Sequence, residues 1–249
     1  MTASYSSTGI EDARRRFSAG GTVEDASPTE ALSDTDRLRL WAEFGLLYVG
    51  LPLLMRVAVF DYRVPLFYAL PPVLIAFVAF LRFDRRFSLK QEIARLPDRS
   101  TLKSILTMFL AGSAIVALLV AALMPERLFA LAAERPGLWL KIMVLYPFTS
   151  VLAQEFAYRV FFFHRYGVLF QSRWILIFAN ALAFGFGHIL FRNWIAVGGT
   201  FAIGLLLAWR YERTRSFWAV YTEHVLWGWL VFTIGLGAFF FTGVKNPAW

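Results

Sequence analysis

Cysteine is absent from all 249 residues, which excludes a disulfide framework, a thiolate nucleophile, and thiolate-bound zinc or iron–sulfur clusters. Charge is scarce too. Charged residues make up 17% of the chain against 58% hydrophobic, where soluble domains carry roughly a quarter charged, so a water-soluble globular fold is not expected. No segment interleaves aromatic and basic residues on a polar background, which removes nucleic acid as a partner. Nor does an apolar run follow the Arg14, Arg15, Arg16 cluster. Ser18, Ala19, Gly20 and Gly21 come next, so no cleavable signal is read there, and the first apolar segment is expected to act as the anchor.

What the chain has in abundance is long apolar runs. Residues 1–38 are polar and read as a disordered tail. From Leu40 onward, stretches long enough to cross about 30 Å of hydrocarbon as helix alternate with short polar punctuation. They fall at 40–60, 64–82, 103–124, 138–158 with an apolar continuation to 170, 173–191, 194–211 and 217–241. The runs are continuous rather than alternating, so the expected fold is all-α, a polytopic transmembrane bundle of seven to eight spans. Its parts are N-terminal transmembrane helices over 39–136, a helical core over 137–241 and a short tail over 242–249. Along the sixth span Ala196, Thr200, Gly204 and Ala208 recur every four residues, a ridge of small side chains suited to close helix packing.

The net charge of +8 belongs to the membrane part, as expected where basic loops face anionic lipid headgroups. The 82–103 loop holds Arg82, Arg85, Arg86, Lys90, Arg95, Arg99 and Lys103 against three acids, which marks it as cytoplasmic. The turn with Arg210, Arg213 and Arg215 then falls on the same side, as does the N-terminus, while 61–63 and 124–137 fall outside.

An ionisable side chain within a span needs a partner, a water-filled cavity or an exit to the interface. Of three histidines, His188 and His224 lie in apolar spans, as do Glu155 and Arg159. Glu155 and Arg159 are four apart and stack on one helix face, as a purely structural ion pair or as part of a site. Asn180, Phe184 and His188 share a face. Glu155 and His188 are symmetric about the turn at 171–173, so an antiparallel hairpin would bring them level. His224 shares its face with Tyr221 and Gly228, and flat counting leaves it roughly 10 Å shallower than His188 at 1.5 Å per residue. A carboxylate and two imidazoles in a low-dielectric cavity suit activation of water for attack on a carbonyl, or binding of a divalent metal that does so. They also suit proton transport.

In order and separation, Gln154-Glu155-Phe156-Ala157-Tyr158-Arg159, then Phe184 to His188, then His224 to Gly228, the chain resembles the CPBP family of intramembrane proteases. That family includes type II CAAX prenyl endopeptidases and bacteriocin-immunity or abortive-infection relatives, and its motifs read Glu-Glu-x-x-x-Arg, Phe-x-x-x-His and His-x-x-x-Asn. The resemblance covers about 137–232 and implies a catalytic set of Glu155, Arg159, His188 and His224. It departs at two positions. Gln154 stands where the family's water-activating glutamate stands, and Gly228 where an asparagine helps the second histidine stabilise the oxyanion.

Three functions follow as expectations. The first is an endopeptidase in which Glu155 acts as base with His188, Arg159 anchors its charge and His224 stabilises the oxyanion, with Glu223 as a secondary carboxylate. The second is a silent relative that binds a membrane partner or confers immunity, and the third a proton-coupled transporter. The resemblance implies a hydrophobic or lipidated peptide substrate in the bilayer, and a bacterial cytoplasmic (inner) membrane location. It implies no cofactor, the alternative being a divalent metal such as zinc held by Glu155, His188 and His224.

Overall fold

The computed structural model describes residues 32–240 except 65, 85 and 86, with backbone alone over 66–69. The expected C-terminal tail and most of the expected N-terminal tail, including Arg14 to Arg16, lie outside the described residues. Within the latter, the first helix begins already at Asp34. Ser33 caps it by accepting from the Asp36 amide at 3.1 Å, a local bond that hydropathy alone does not register.

Every regular element among the described residues is helical. Helix α1 spans Asp34–Phe60, α2 Leu66–Phe83, the short α3 Leu89–Ala94, α4 Arg99–Leu123 and the short α5 Ala130–Glu134. Helix α6 runs over Pro136–Leu169, and α7 over Arg173–Gly187, continued by a 3₁₀ turn at His188–Phe191. Helices α8 (Trp194–Thr214) and α9 (Phe217–Ile234) complete the bundle. The protein is an all-helical integral membrane protein. Large apolar side chains face outward along its helices, among them Leu106, Leu110, Leu118 and Leu119 on α4, which is stable against lipid and not against water.

Among the described residues five segments are long and apolar enough to span a membrane, namely α1, α4, α6, α7 with its 3₁₀ turn, and α8. The other two expected spans also form helices. In α2 the apolar stretch with described side chains is Leu70–Phe83, and in α9 Glu223 and His224 dilute the apolarity of the helix.

Arg210 is not a loop charge as expected: α8 continues to Thr214, and Arg210 is buried within it, paired with Glu223. Arg213 and Arg215 remain at the turn. This turn packs on the basic 82–103 loop, where Ser216 donates to the Arg95 carbonyl at 2.6 Å and the Trp218 indole to the Ile93 carbonyl at 2.8 Å. The two loops expected on one side of the membrane therefore share one end of the molecule.

The small-residue ridge on α8 is buried against α7. A Cβ on Gly204 would lie 3.1 Å from the Phe184 ring and 3.2 Å from the Ala181 Cα, so the absence of a side chain sets how closely these helices approach. That contact fixes Phe184, around which the site is organised.

Candidate active site

Helix α6 carries the first motif, and it is not a uniform α-helix. Two π-helical turns interrupt it, at Pro147–Val151 and Phe156–Phe161, and such insertions rephase the faces of a helix. Pro147 lacks an N–H, so it cannot donate to the Met143 carbonyl four residues back. The Trp229 indole of α9 donates to it at 2.9 Å, and one turn away the Trp139 indole donates to the Thr233 hydroxyl at 3.1 Å. These bonds clamp α6 against α9.

The clamp brings Glu155 to His224. The imidazole Nδ1 lies 2.7 Å from Glu155 Oε1, with both residues buried. A carboxylate accepts this bond, so Nδ1 carries the proton and Nε2 is the nitrogen left to act. The second oxygen, Oε2, faces Arg159 Nε at 3.5 Å, an ion pair too long for a hydrogen bond. Arg159 is oriented by α7: its Nη1 donates to Asn180 Oδ1 at 3.0 Å, and its guanidinium lies 4.6 Å from the centroid of the Phe184 ring. Asn180 in turn donates to the Tyr158 carbonyl. Asn180 and Phe184, expected beside His188, thus serve to position Arg159.

His188 follows the last residue of α7, where helix carbonyls lose their backbone donors. Its own N–H goes to Gly185 and Phe186, and its ring Nδ1 donates to the Phe184 carbonyl at 2.7 Å. A carbonyl can only accept, so in the neutral ring the proton sits on Nδ1 and Nε2 bears the lone pair. His188 lines a cavity of about 80 Å³, room for a few water molecules. Ser150, Gln154 and Tyr158 also line it, and Leu47, Leu51, Met55, Val73 and Phe77 form its apolar wall. Gln154 donates to Ser150 at 2.7 Å, while its buried amide oxygen has no hydrogen-bond partner. Tyr158 reaches in because residue 187 is glycine: a Cβ there would stand 2.1 Å from the Tyr158 hydroxyl oxygen.

Compared with the sequence expectations, the hairpin about Gln171–Arg173 brings Gln154 and Tyr158, not Glu155, to the cavity of His188. Glu155 belongs to His224. The depth difference between the two histidines is bridged by one phenyl ring, since Phe184 touches both, at centroid distances of 4.7 and 5.6 Å. Glu223 is engaged elsewhere, with both oxygens bonded to Arg210 at 2.7 and 2.9 Å. Gly228 lies against Tyr146, a residue the sequence did not single out. A facing aromatic opposite a glycine is a signal only once the pairing of α6 with α9 is known.

The donor set does not fit a metal ion. Among the described residues no three His, Asp or Glu side chains cluster closely enough to hold one. The Arg159 guanidinium, 3.5 Å from Glu155, also brings positive charge to the carboxylate an ion would need.

Residues 135–230, which include all of α6 from Pro136 through α8 and most of α9, match the family model described as type II CAAX prenyl endopeptidase Rce1-like. The match covers less than half of the chain. No match was found among curated proteins or solved structures.

Proposed function

We propose, from the premise that residues 135–230 are a domain of the Rce1-like family of CAAX-protease-like intramembrane peptidases, that this protein is an endopeptidase that attacks the peptide bond directly with water. The observation that carries the reading is the presence of two imidazoles, each with Nδ1 fixed by an acceptor and Nε2 free, on either side of Phe184. His188 Nε2 takes a proton from a water in the cavity, and the unpartnered Gln154 amide oxygen accepts that water's other hydrogen. The hydroxide adds to the carbonyl carbon, and the C=O electron pair moves onto oxygen. His224, as an imidazolium held by Glu155, donates from Nε2 to that oxyanion. Collapse of the intermediate breaks the C–N bond as the amine leaves with a proton from His188. Glu155 is here a positioning residue for His224 rather than the base, and Arg159, 3.5 Å from its second oxygen, holds the carboxylate in place.

No metal or other cofactor takes part in this mechanism. The apolar cavity wall supports a hydrophobic or lipidated peptide substrate drawn from the bilayer. The shared end of the two basic loops supports a cytoplasmic N-terminus, and the expected location stays a bacterial inner membrane. A competing reading, a silent member that binds a membrane partner, is favoured by Gln154, whose amide cannot take a proton.

Cleavage of a quenched-fluorescence peptide library by purified protein tests these readings, with His188→Ala, His224→Ala, Glu155→Ala and Gln154→Glu compared at matched thermal stability. The expected result is parental cleavage that falls about 10³-fold in each alanine variant. A silent parent that gains cleavage with Gln154→Glu would move the conclusion to the binding role.

A further inference from the structure

Tyr146 and Glu155 are nine residues apart on α6, and at about 100° per residue an unbroken α-helix would point them to opposite sides. Both nevertheless meet α9, because the π turn at Pro147–Val151 lies between them. Glu155 bonds His224, and the Tyr146 ring lies 6.1 Å from the His224 ring, edge to face. The Tyr146 ring occupies the ground a side chain at 228 would need: a Cβ on Gly228 would stand 2.2 Å from its Cε1 and 2.5 Å from its hydroxyl oxygen. That hydroxyl makes no hydrogen bond to any described residue. An apolar groove lined by Met143, Pro147, Tyr221, Val225 and Trp229 runs between α6 and α9 beside these residues.

Where the resemblance places an asparagine amide one helical turn beyond the second histidine, this chain therefore has a glycine and a phenol in its space. We infer that the Tyr146 hydroxyl is the second oxyanion donor of this site, acting with His224 in place of a side chain at Gly228. The role rests on the endopeptidase reading above. A phenol O–H is a stronger donor than a carboxamide N–H and is carried on a rigid ring, so it meets the need for a preorganised donor. The exchange is reciprocal: tyrosine at 146 requires glycine at 228.

Tyr146→Phe keeps the ring and removes only the donor. It should lower kcat about 100-fold with KM unchanged, whereas loss of a mere packing contact would leave kcat near the parent. Tyr146→Ala with Gly228→Asn should recover at least tenfold over Tyr146→Ala with Gly228→Ala, which fills space without a donor. A second arm does not depend on turnover. A phosphinate peptide, which carries a tetrahedral anionic oxygen, should bind the parent more tightly than the matched amide. Tyr146→Phe should weaken the phosphinate about tenfold or more and leave the amide unchanged. Equal phosphinate affinity in parent and Tyr146→Phe overturns the assignment while leaving the endopeptidase reading standing. A parent that neither cleaves nor prefers the phosphinate removes that reading and the role of Tyr146 with it.

Discussion

Arg210 and Glu223 meet through two hydrogen bonds of 2.7 and 2.9 Å, and Arg210 spends a further donor on Ser104 at 3.0 Å. Arg159 and Glu155, equally buried, stand 3.5 Å apart. Their Oε2, Nε and Nη2 atoms lack hydrogen-bond partners, and the remaining carboxylate oxygen is given to His224. The two pairs have the same chemistry in the same kind of surroundings, so burial alone does not distinguish a site from a brace. Saturation does. A pair whose hydrogen bonds are directed at each other holds α8 to α9, whereas one left partly open can hold a third group in a defined protonation state.

Removing both members of each pair gives the sharpest test. Glu155→Leu with Arg159→Met takes out both charges and should keep the unfolding free energy within about 1.5 kcal/mol of the parent while cleavage falls about 10³-fold. Retained cleavage would break the distinction. For the other pair, Glu223→Leu or Arg210→Met alone strands one buried charge and should cost about 3–5 kcal/mol. The double variant should return close to parental stability, with cleavage within a few-fold of the parent. Unfolding followed beside turnover in the same detergent reads both.

A smaller effect is expected at Asp98, an exposed acid with no part in either pair. It caps α4 by accepting from the Thr101 amide at 2.7 Å, and this bond, with the Thr101 hydroxyl, holds its carboxyl below the usual range near 3.8. A carboxylate with a lowered folded value adds stability above the unfolded value and loses it as pH falls through the folded one. The unfolding midpoint of Asp98→Asn should therefore lie slightly below the parent at neutral pH and merge with it in acid, once pH has fallen through the lowered folded value. A difference that persists into acid would show that the carboxylate charge is not what caps the helix.

Much of this was legible in advance. Continuous apolar runs point to helices because only helices and closed barrels satisfy backbone groups in lipid and barrel strands alternate, and ionisable residues inside those runs point to Glu155, Arg159, His188 and His224. Glu223 looked like a candidate by its position beside His224, yet the side chain turns to Arg210, a partner brought in from another helix. Arg210 reads as a loop charge because nothing local reveals that α8 continues past it.

The sequence by itself determined that the chain is a helical membrane protein and pointed to candidate site residues between 154 and 228, since run length, hydropathy and motif order are local properties. Only the tertiary structure decided how that chemistry is divided. The π turns of α6 set which of two adjacent residues, Gln154 or Glu155, turns to the cavity and which to α9. The close approach of α6 to α9 puts the Tyr146 phenol where Gly228 has no side chain. Both outcomes depend on helix phase and on contacts between residues far apart in the chain, which no stretch of sequence encodes locally.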